Sequence, residues 1–363
     1  MPLVLSPNSR SRVIDRTDTL IQIPNNVGIV SSLGLFTDTY SSQKTIEITR
    51  TDRGSHLAVD RNWDERNSTI AGRTRDSLTL KIPHFPLDDA ITPNDIDGII
   101  QADSLTDALE LESVASVRVE KMFDLREAHS LTKEQARMQM ITTGSVYAPS
   151  GTMRTSYGNT VNFYNEFGIT QTTVPVVLGT ATDPRNQFRD IKAAVRAGLT
   201  AYGQGAVSGF VALCGSDYFA ALVQNAFVTD AVKYQQFPGL TAPVLTGVPS
   251  AYPGLDARFE SITLWGITFI DASAAGYENA AGTFVQSIPD NEAYFLPVGV
   301  RDMFKTYYAP ANRFGTINRR AQGSYWFEYA NEKDDIIEIM SEQNFLNACL
   351  YPAAIIRSTF TAA

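Results

Sequence analysis

The sequence predicts a mixed α+β protein, and three observations predict it. The stretches TIEITR and SLTLKI alternate apolar and polar residues and flank a polar middle between residues 44 and 82, as two strands of a hairpin should. A helical apolar stripe follows from about residue 104. Strand-like apolar runs then alternate with amphipathic stretches between about 170 and 300, which is the pattern of an α/β layer.

The composition argues against a charge-held polyanion binder and a membrane-spanning protein. The 363 residues carry 39 acidic against 30 basic side chains, whereas duplex binding draws on a clustered surplus of lysine and arginine. No apolar run approaches the roughly 18 residues that a membrane span needs. The first residues, MPLVLSPNSRSR, lack the order of a signal peptide. We expect Cys214 and Cys349 to be buried thiols of a protein made in a reducing compartment.

The amino-terminal region and the hairpin are predicted to reach away from the body. Residues 1 to about 43 contain few helix formers and little periodicity, so they are predicted to form an extended arm with short apolar anchors. The hairpin over 44–82 has arms of up to about 18 residues, and at full extension it would reach about 60 Å. No globular core needs an arm of that length. We therefore expect the hairpin to lie on another subunit.

The proline-rich stretch KIPHFPLDDAITPNDI leads out of the hairpin and holds the best candidate for a metal or acid–base site. His84, Asp88 and Asp89 could offer three ligands. The prolines on both sides of the histidine favour an extended backbone, which removes the i, i+4 facing that many metal pairs use. The prediction favoured here is that the two aspartates accept backbone N–H bonds at a turn or helix start.

Two helices are predicted after this stretch. A capping pattern at Ser104 begins a rod that continues to about Glu127, some 24 residues and about 36 Å long. A second start pattern at Thr132 begins another helix, which ends near Gly144. His129 falls near the carboxyl end of the first helix, where a cation is favoured by the macrodipole.

The remaining elements are predicted from shorter patterns. SVYAPSGTMRTSYG predicts a hairpin that turns at 149–151. VPVVLG, VSGFVALC and ITLWGITFI predict strands, whereas FRDIKAAVRAGLTAY and SDYFAALVQNA predict helices, the second capped by Ser216. SYWFEYA and DIIEIM predict two strands joined by NEKD. Because the chain has no GxSxG, HExxH or Gly-Lys phosphate loop, no catalytic residue, cofactor site or metal site is predicted.

Charge is distributed unevenly between the hairpin and the rod. From Lys44 to Lys81 eight basic residues stand against six acidic ones, so the hairpin is locally +2. From Asp95 to Glu127 nine acidic residues stand against three basic ones, which gives −6. A basic arm and an acidic rod favour pairing between copies of the chain. The alternative is that both are ordinary solvated faces, and charge alone leaves the two alternatives open.

This order of elements resembles the major capsid proteins of tailed phages, and more narrowly the phage lambda-type (protein E) family. IPNNVGIVSSLGLF is similar to the family's arm, and KIPHFPLDDAITPNDIDG to its passage out of the hairpin. YNEFGITQ and FVALCGSDYFAALV are similar to its α/β domain, and LPVGVRDMFKTYYAPAN to the return from that domain. After this last stretch the chain has RFGTINRRAQGS, where the family usually continues with an acidic–aromatic run.

The resemblance implies five named parts of the chain. They are an N-terminal arm (1–43), an E-loop hairpin (44–82), a peripheral domain with a spine helix (83–169), an axial domain (170–305) and a return to the peripheral domain (306–363). It also implies that the arm packs on a neighbouring copy and that the link at 331–335 lies near threefold contacts. The inter-subunit contacts expected from charge and resemblance are Arg50, Arg53, Arg66, Arg73, Arg75, Glu110, Glu112, Lys333, Asp334 and Asp335.

The resemblance implies a function that is mechanical and not enzymatic. The chain would self-assemble into the icosahedral head shell of a tailed bacteriophage and enclose packaged double-stranded DNA without sequence-specific binding. The implied partners are copies of itself as pentamers and hexamers, a portal at one vertex, a separate scaffold protein and a trimeric decoration protein. The implied location is the virion, after assembly in the host cytoplasm. Two alternatives stay open: a cellular nanocompartment shell of the same fold, and a hydrolase using His84 with Asp88 and Asp89.

Overall fold

The computed structural model of the chain describes residues 14–15, 28–52, 74–95, 114–149, 161–179, 182–199, 207–235, 259–278, 282–331 and 336–361. The strands are β1 (Ile14–Asp15), β2 (Phe36–Tyr40), β3 (Thr45–Asp52), β4 (Thr74–Lys81), β5 (Phe85–Ile91), β6 (Thr173–Val177), β7 (Gly209–Cys214), β8 (Ser261–Leu264), β9 (Ile267–Asp271), β10 (Gly276–Glu278), β11 (Phe284–Gln286), β12 (Glu292–Val298), β13 (Phe304–Tyr308), β14 (Tyr325–Asn331), β15 (Ile336–Gln343), β16 (Phe345–Cys349) and β17 (Ile356–Thr361). The helices are α1 (Ile29–Ser32), α2 (Val114–Thr143), α3 (Phe163–Glu166), α4 (Arg185–Ala197), α5 (Ser216–Gln224) and α6 (Ala226–Gln235). The predicted α+β class is confirmed.

A mixed six-stranded sheet forms the middle of the molecule, in the order β6-β17-β12-β7-β9-β8. The β12 strand pairs antiparallel with both β17 and β7, whereas β7 and β9 are parallel. Helix α4 packs an apolar face against the sheet, where Phe188 meets Phe269 edge-on at 5.0 Å between ring centroids. The predicted strands and helices of this region are confirmed, and ITLWGITFI forms the hairpin β8–β9. The prediction that Ser216 caps the second helix is wrong: Ser216 is the first residue of α5, and its Oγ donates to Asp290 Oδ1 instead of to the helix backbone.

The last strand, β17, departs from the sequence-based prediction for residues 306–363. That stretch was expected to return entirely to the peripheral part of the fold. Instead β17 lies inside the six-stranded sheet, antiparallel to β12 and parallel to β6. Two parallel neighbours so far apart in sequence carry no local pattern, so alternation alone predicts a strand but not its partner.

A second layer surrounds helix α2 and contains the sheet β1-β14-β15-β5 and the sheet β16-β13-β2. The predicted hairpin of SYWFEYA and DIIEIM is confirmed as β14–β15, with Tyr325 opposite Glu342. Trp326 is fully buried and packs in a cluster with Val117 of α2 and Ile339 of β15. This apolar cluster therefore fixes α2 across the four-stranded sheet.

The prediction of an extended arm over residues 1–43 is wrong for the part that the structure describes from residue 28 onward. Helix α1 buries Ile29 and Val30 completely, and Glu134 of α2 accepts hydrogen bonds from Val30 N and Ser31 N at 2.6 and 3.2 Å. Strand β2 then pairs in parallel with β13. These residues therefore belong to the body, while the start of the predicted arm lies outside the described residues, except for the short strand β1.

The two helices predicted between 104 and 144 are one continuous helix from Val114 onward. Thr132, predicted to begin the second helix, donates from Oγ1 to Ala128 O at 2.8 Å and lies within α2. This back-bonding satisfies the hydroxyl without ending the helix. The predicted end is confirmed: Gly144 follows the helix with φ +66°. The start predicted at Ser104 lies outside the described residues.

Candidate assembly surfaces

The base of the hairpin is anchored in the body by alternate side chains. Strands β3 and β4 are antiparallel, with Ile46 opposite Leu80 and Ile48 opposite Leu78. Ile46, Ile48 and Leu80 are buried in the largest apolar cluster of the fold, whereas Glu47 and Thr79 are exposed on the other face of the ribbon. This is the period-two pattern that the sequence predicted. The ribbon is therefore held at its root, and the 53–73 stretch that joins the strands lies outside the described residues.

The exit of the hairpin is an extended strand and not a turn, so the prediction of a turn at Asp88 and Asp89 is wrong. Both aspartates lie in β5, which pairs antiparallel with β15. The carboxylate of Asp89 accepts from its neighbour Ala90 N at 2.7 Å and from Lys121 Nζ of α2 at 3.1 Å. The prolines do keep this stretch extended, as predicted, and the aspartate ties it to the long helix.

The metal-site hypothesis for His84, Asp88 and Asp89 finds no support in this geometry. Four residues of extended chain span about 13 Å, so His84 and Asp88 cannot converge on one ion. His84 Nδ1 instead lies 2.7 Å from Asn344 Oδ1 and 3.8 Å from Glu342 Oε2. Within the described ranges, no three His, Cys, Asp or Glu side chains are grouped so that they could hold a metal ion. The hydrolase alternative therefore loses the cluster on which it rested.

Helix α2 presents an exposed apolar stripe. At 30 residues it is about 45 Å long, and its outer face exposes Val119 by 58%, Phe123 by 43% and Leu131 by 45%. These positions are separated by four and eight residues, so they follow one side of the helix. The acidic side chains of Glu120 and Asp124 are exposed beside them. We call these five residues the spine face.

The basic residues of α2 do not offset the charge of the spine face. Arg118 Nε lies 2.9 Å from Glu328 Oε1 on β14, and Lys121 binds Asp89 on β5. Both cations are therefore directed at the sheet under the helix. Neither cation therefore neutralises the exposed carboxylates of Glu120 and Asp124 on the outer side of the helix.

His129 was predicted to lie at a helix end as a favoured cation, and this prediction is wrong. It lies in the middle of α2, it is 2% exposed, and its Nε2 is 2.8 Å from Ser341 Oγ. Ser341 Oγ donates to Tyr325 O, which leaves it to accept from His129 Nε2–H. Burial lowers the pKa of His129 to about 4.

A buried arginine ties the amino-terminal segment to the helix. Arg137 is 6% exposed, and its guanidinium donates to Ser31 Oγ, to Asp38 Oδ1 and to Thr306 Oγ1 at 3.0 to 3.2 Å. It also lies over the ring of Phe36, 5.1 Å from the centroid. One cation therefore joins α2, α1, β2 and β13. No sequence pattern singles out Arg137, since its partners lie about 100 or more residues away.

The structure describes only two of the ten predicted inter-subunit residues. Arg50 and Arg75 lie on the paired strands β3 and β4, opposite Asp76 and Thr51 respectively. The others lie outside the described residues: Arg53, Arg66, Arg73, Glu110, Glu112, Lys333, Asp334 and Asp335. The strands confirm that the hairpin exists, and which residues cross between copies stays a prediction. The two cysteines are confirmed as buried and free, and burial raises the pKa of Cys214.

A rooted hairpin, a long helix with an exposed face and a central α/β sheet define a class of protein, the major capsid proteins of tailed phages. The capsid asymmetric unit of cyanophage Pam1 has the same fold, with a TM-score of 0.53, 12% identity and coverage of 100% of both chains. The chain belongs to the phage major capsid protein E family, whose model matches residues 16–360.

Two relatives extend over nearly the whole chain. The major capsid protein of Pseudomonas phage KPP10 is 31% identical over 346 residues, which cover 94% of this chain and 95% of the relative. The major capsid protein of Salmonella phage Felix O1 (isolate Felix O1-VT1) is 25% identical over 379 residues, which cover 98% and 97%. The chain is thus a major capsid protein of a tailed phage, and it forms the head shell of the virion. No helix in the described part of the chain has the length and apolar character to cross a membrane.

Proposed function

We propose that the hairpin of each copy lies on the spine face of a neighbouring copy and that this contact closes the shell. The observation that supports the proposal is that one chain has both a hairpin anchored at its base and an exposed helix face that is apolar and acidic. The hairpin sequence is locally +2, and the stretch from Asp95 to Glu127 is −6. Opposite charge brings the two surfaces together, and burial of the apolar stripe supplies the contact energy.

The contact gains its strength from repetition. Val119, Phe123 and Leu131 are about half exposed, so covering them contributes roughly 1 kcal/mol each. A single contact of this size is weak. Because every copy both gives and receives one hairpin, the gains combine around pentamers and hexamers, and the closed icosahedral shell is favoured over isolated subunits.

The proposal includes a division of the chain into domains, which differs from the division expected from the sequence in two segments. The hairpin is 44–82, the peripheral part is built around α2, and the axial part is built around the six-stranded sheet. Residues 28–43 and 306–349 belong with the peripheral part, because β2 and β13 pair there. Residues 356–361 belong with the axial sheet. The chain before residue 28 keeps the proposed role of an arm.

The proposal includes partners and a passive role. The shell would enclose double-stranded DNA without reading its sequence, which the net charge of −9 favours because a wall of that sign does not trap the genome. A portal at one vertex, a separate scaffold protein and a trimeric decoration protein complete the proposed set of partners. Membership of a capsid family supports a structural and not a catalytic role. Assembly is proposed to take place in the host cytoplasm.

The test replaces residues 53–73 with a two-residue Asn-Gly turn, which leaves Ile46, Ile48 and Leu80 in place at the root of the hairpin. We expect a folded subunit or capsomer that forms no closed particles, measured by electron microscopy and sedimentation. A matched control exchanges the same stretch for a Gly/Ser linker of equal length, and it should fail equally if the hairpin side chains make the contact. Normal particles from the shortened variant would refute the proposal.

A further inference from the structure

A surface cavity of about 240 Å³ lies between helix α2, strand β2 and the turn that precedes β14. Helix α2 contributes Arg126 and Lys133 to its wall, β2 contributes Asp38 and Tyr40, and the turn contributes Ser324. No residue of the spine face or of the hairpin strands is among its described lining residues. The cavity is therefore a feature separate from the surfaces assigned to the contact between copies.

The walls of this cavity are held by contacts within the subunit. The ring of Tyr40 stacks on that of Tyr308, with 5.1 Å between the centroids, and Tyr308 is 2% exposed. Gln343 Nε2 donates to Gly323 O at 3.0 Å, which fixes the turn beside Ser324. Preformed walls of this kind are typical of a binding site and not of a gap between mobile loops.

Lys133 is the unusual member of the wall, because its half-buried ammonium group has no direct partner. Among the residues that the structure describes, Lys133 Nζ has no hydrogen-bond acceptor and no acid within ion-pair distance. The two acids near enough to attract it bind elsewhere: Asp38 accepts from Arg137 at 3.0 Å, and Glu134 accepts from backbone N–H groups of helix α1. Burial lowers the pKa of Lys133, and the charge of Arg137 lowers it further. A counter-charge in the cavity would remove the cost of burying this cation.

The cavity also has an excess of positive charge. Arg126 and Lys133 are both part of its wall, and Asp38 is the one acidic residue among its described lining residues. That carboxylate is already paired with Arg137. Arg320 adds a further cation beside the cavity, since its guanidinium lies 5.5 Å from the ring centroid of a lining tyrosine. The unbalanced charge favours an anion as the ligand.

We propose that this cavity binds a small oxyanion of the size and charge of inorganic phosphate, held by Lys133 and Arg126. The oxygens of the anion would accept hydrogen bonds from the ammonium and guanidinium groups, which are the strong, charge-assisted kind. The hydroxyl group of Ser324 supplies a further donor on the turn. Because one water molecule needs only about 10–15 Å³ of cavity volume, a four-oxygen anion fits with water around it.

A bound oxyanion would join parts of the chain that are distant in sequence. It would connect α2 to β2 and to the turn before β14, so it would bind the folded subunit and not the unfolded chain. A ligand of that kind stabilises the folded state by mass action. The inference goes beyond the proposed assembly and does not depend on which surface receives the hairpin.

The test is a calorimetric titration of inorganic phosphate into the full chain, at an ionic strength held constant with sodium chloride. We expect one binding site per chain. Lys133→Met keeps the apolar stem and removes the charge, so it should weaken binding at least about tenfold. Lys133→Arg keeps the charge and should bind within about threefold of the natural chain.

The matched control is Lys192→Met, which changes a half-buried lysine on α4 whose Nζ donates to Trp265 O at 2.8 Å. This variant loses a hydrogen bond outside the cavity, and it should bind phosphate as the natural chain does. A second measurement, lysine acetylation by acetic anhydride followed by peptide mass spectrometry, covers the case in which Lys133→Met does not fold. Phosphate at ten times its Kd should slow the acetylation of Lys133 about tenfold and leave that of Lys192 unchanged.

The outcomes decide the inference without deciding the proposed assembly. Saturable binding that is lost in Lys133→Met and kept in Lys133→Arg supports it, as does selective protection of Lys133 from acetylation. Phosphate that acts no more strongly than chloride at equal ionic strength would overturn it, because charge screening alone would then explain the effect. Equal binding by Lys133→Met and the natural chain would also overturn it. Both of these negative results leave the hairpin contact untouched.

Discussion

The six-stranded sheet and the layer around helix α2 differ in how many large hydrophobic side chains they expose and in how many polar side chains they bury. Around the sheet, one large hydrophobic side chain among those described is exposed, Phe227 on α6, whereas Phe284 lies on the two-stranded sheet β10–β11, which contacts α2. Around α2 they are more numerous: Tyr40, Val119, Phe123, Leu131, Phe314 and Ile317. The sheet is thus closer to a finished core, whereas the α2 layer leaves apolar surface for other copies to cover. The difference assigns rigidity to one region and assembly to the other.

Buried polar groups divide in the same way. The α2 layer buries His129, Arg137, Glu328, Glu342, Gln343, Asn344, Asn347 and Thr306. The six-stranded sheet buries Glu292, which is paired with Arg357, together with Ser358 and Thr268. Buried hydrogen-bonding networks define one arrangement of their members, since any other arrangement leaves them unsatisfied. The layer that must hold a hairpin and a helix at set angles is the one with more of these groups.

The largest expected effect is a loss of folding from the sheet region. Phe269→Ala removes a fully buried ring that packs edge-on against Phe188 and Phe295. We expect the free energy of unfolding to fall by about 3–5 kcal/mol. Urea unfolding of subunits below the assembly concentration measures this. Phe269→Leu keeps most of the volume and should cost about 1 kcal/mol. A change below 1 kcal/mol for Phe269→Ala would show that the sheet is not the rigid part.

The next effect is a pH dependence that belongs to the α2 layer. Because burial lowers the pKa of His129 from 6.5 to about 4, the unfolded chain binds a proton more readily than the folded one. Stability is therefore retained above pH 6.5 and lost as pH falls from 6.5 towards 4, by up to about 3 kcal/mol. In His129→Gln, the free energy of unfolding should no longer show this contribution to its pH dependence between pH 6.5 and 4. An unchanged slope in that variant would assign the acid sensitivity to other groups.

The smallest effect on stability should accompany a clear effect on assembly. Phe123→Ser on the spine face should leave the free energy of unfolding within about 0.5 kcal/mol, because the ring is already 43% exposed. Loss of roughly 1 kcal/mol per contact should raise the critical concentration for assembly at least about fivefold. Phe227→Ser, which changes a ring of 39% exposure on α6, is the matched control. Equal effects of the two substitutions would remove the distinction between the regions.

Local patterns predicted most elements, while their partners depended on contacts that the sequence does not mark. The alternation of TIEITR and SLTLKI predicted β3 and β4 because both strands are half-exposed and their turn is local. The stripe of FRDIKAAVRAGLTAY predicted α4 for the same reason. By contrast, β2 pairs with β13 across more than 260 residues, and nothing in the sequence of either strand indicates which strand is its partner.

Two errors around α2 share one physical cause. Thr132 reads as a helix start because its hydroxyl can cap a backbone N–H, but in a helix that tertiary packing continues, the hydroxyl bonds back to Ala128 O. His129 was predicted to be a cation at a helix end because the first helix was expected to end near residue 127. In the structure the helix continues, and Ser341, over 200 residues away, is the buried partner of His129. The exposure of Phe123 on the spine face and of Phe314 was likewise missed, since a phenylalanine is expected in the core until the structure shows which residues fill it.

The place of β17 in the six-stranded sheet determines when during synthesis the subunit can be completed. The strand lies between β6 and β12, so residues 173–177 lack their neighbour until residues 356–361 have been made. At ordinary rates of about 5–20 residues per second, β6 waits roughly 10–40 s for that neighbour on the ribosome. A nascent chain therefore carries an unfinished sheet edge through this interval. A subunit becomes competent to join a shell only after residues 356–361 have left the ribosome and closed the sheet.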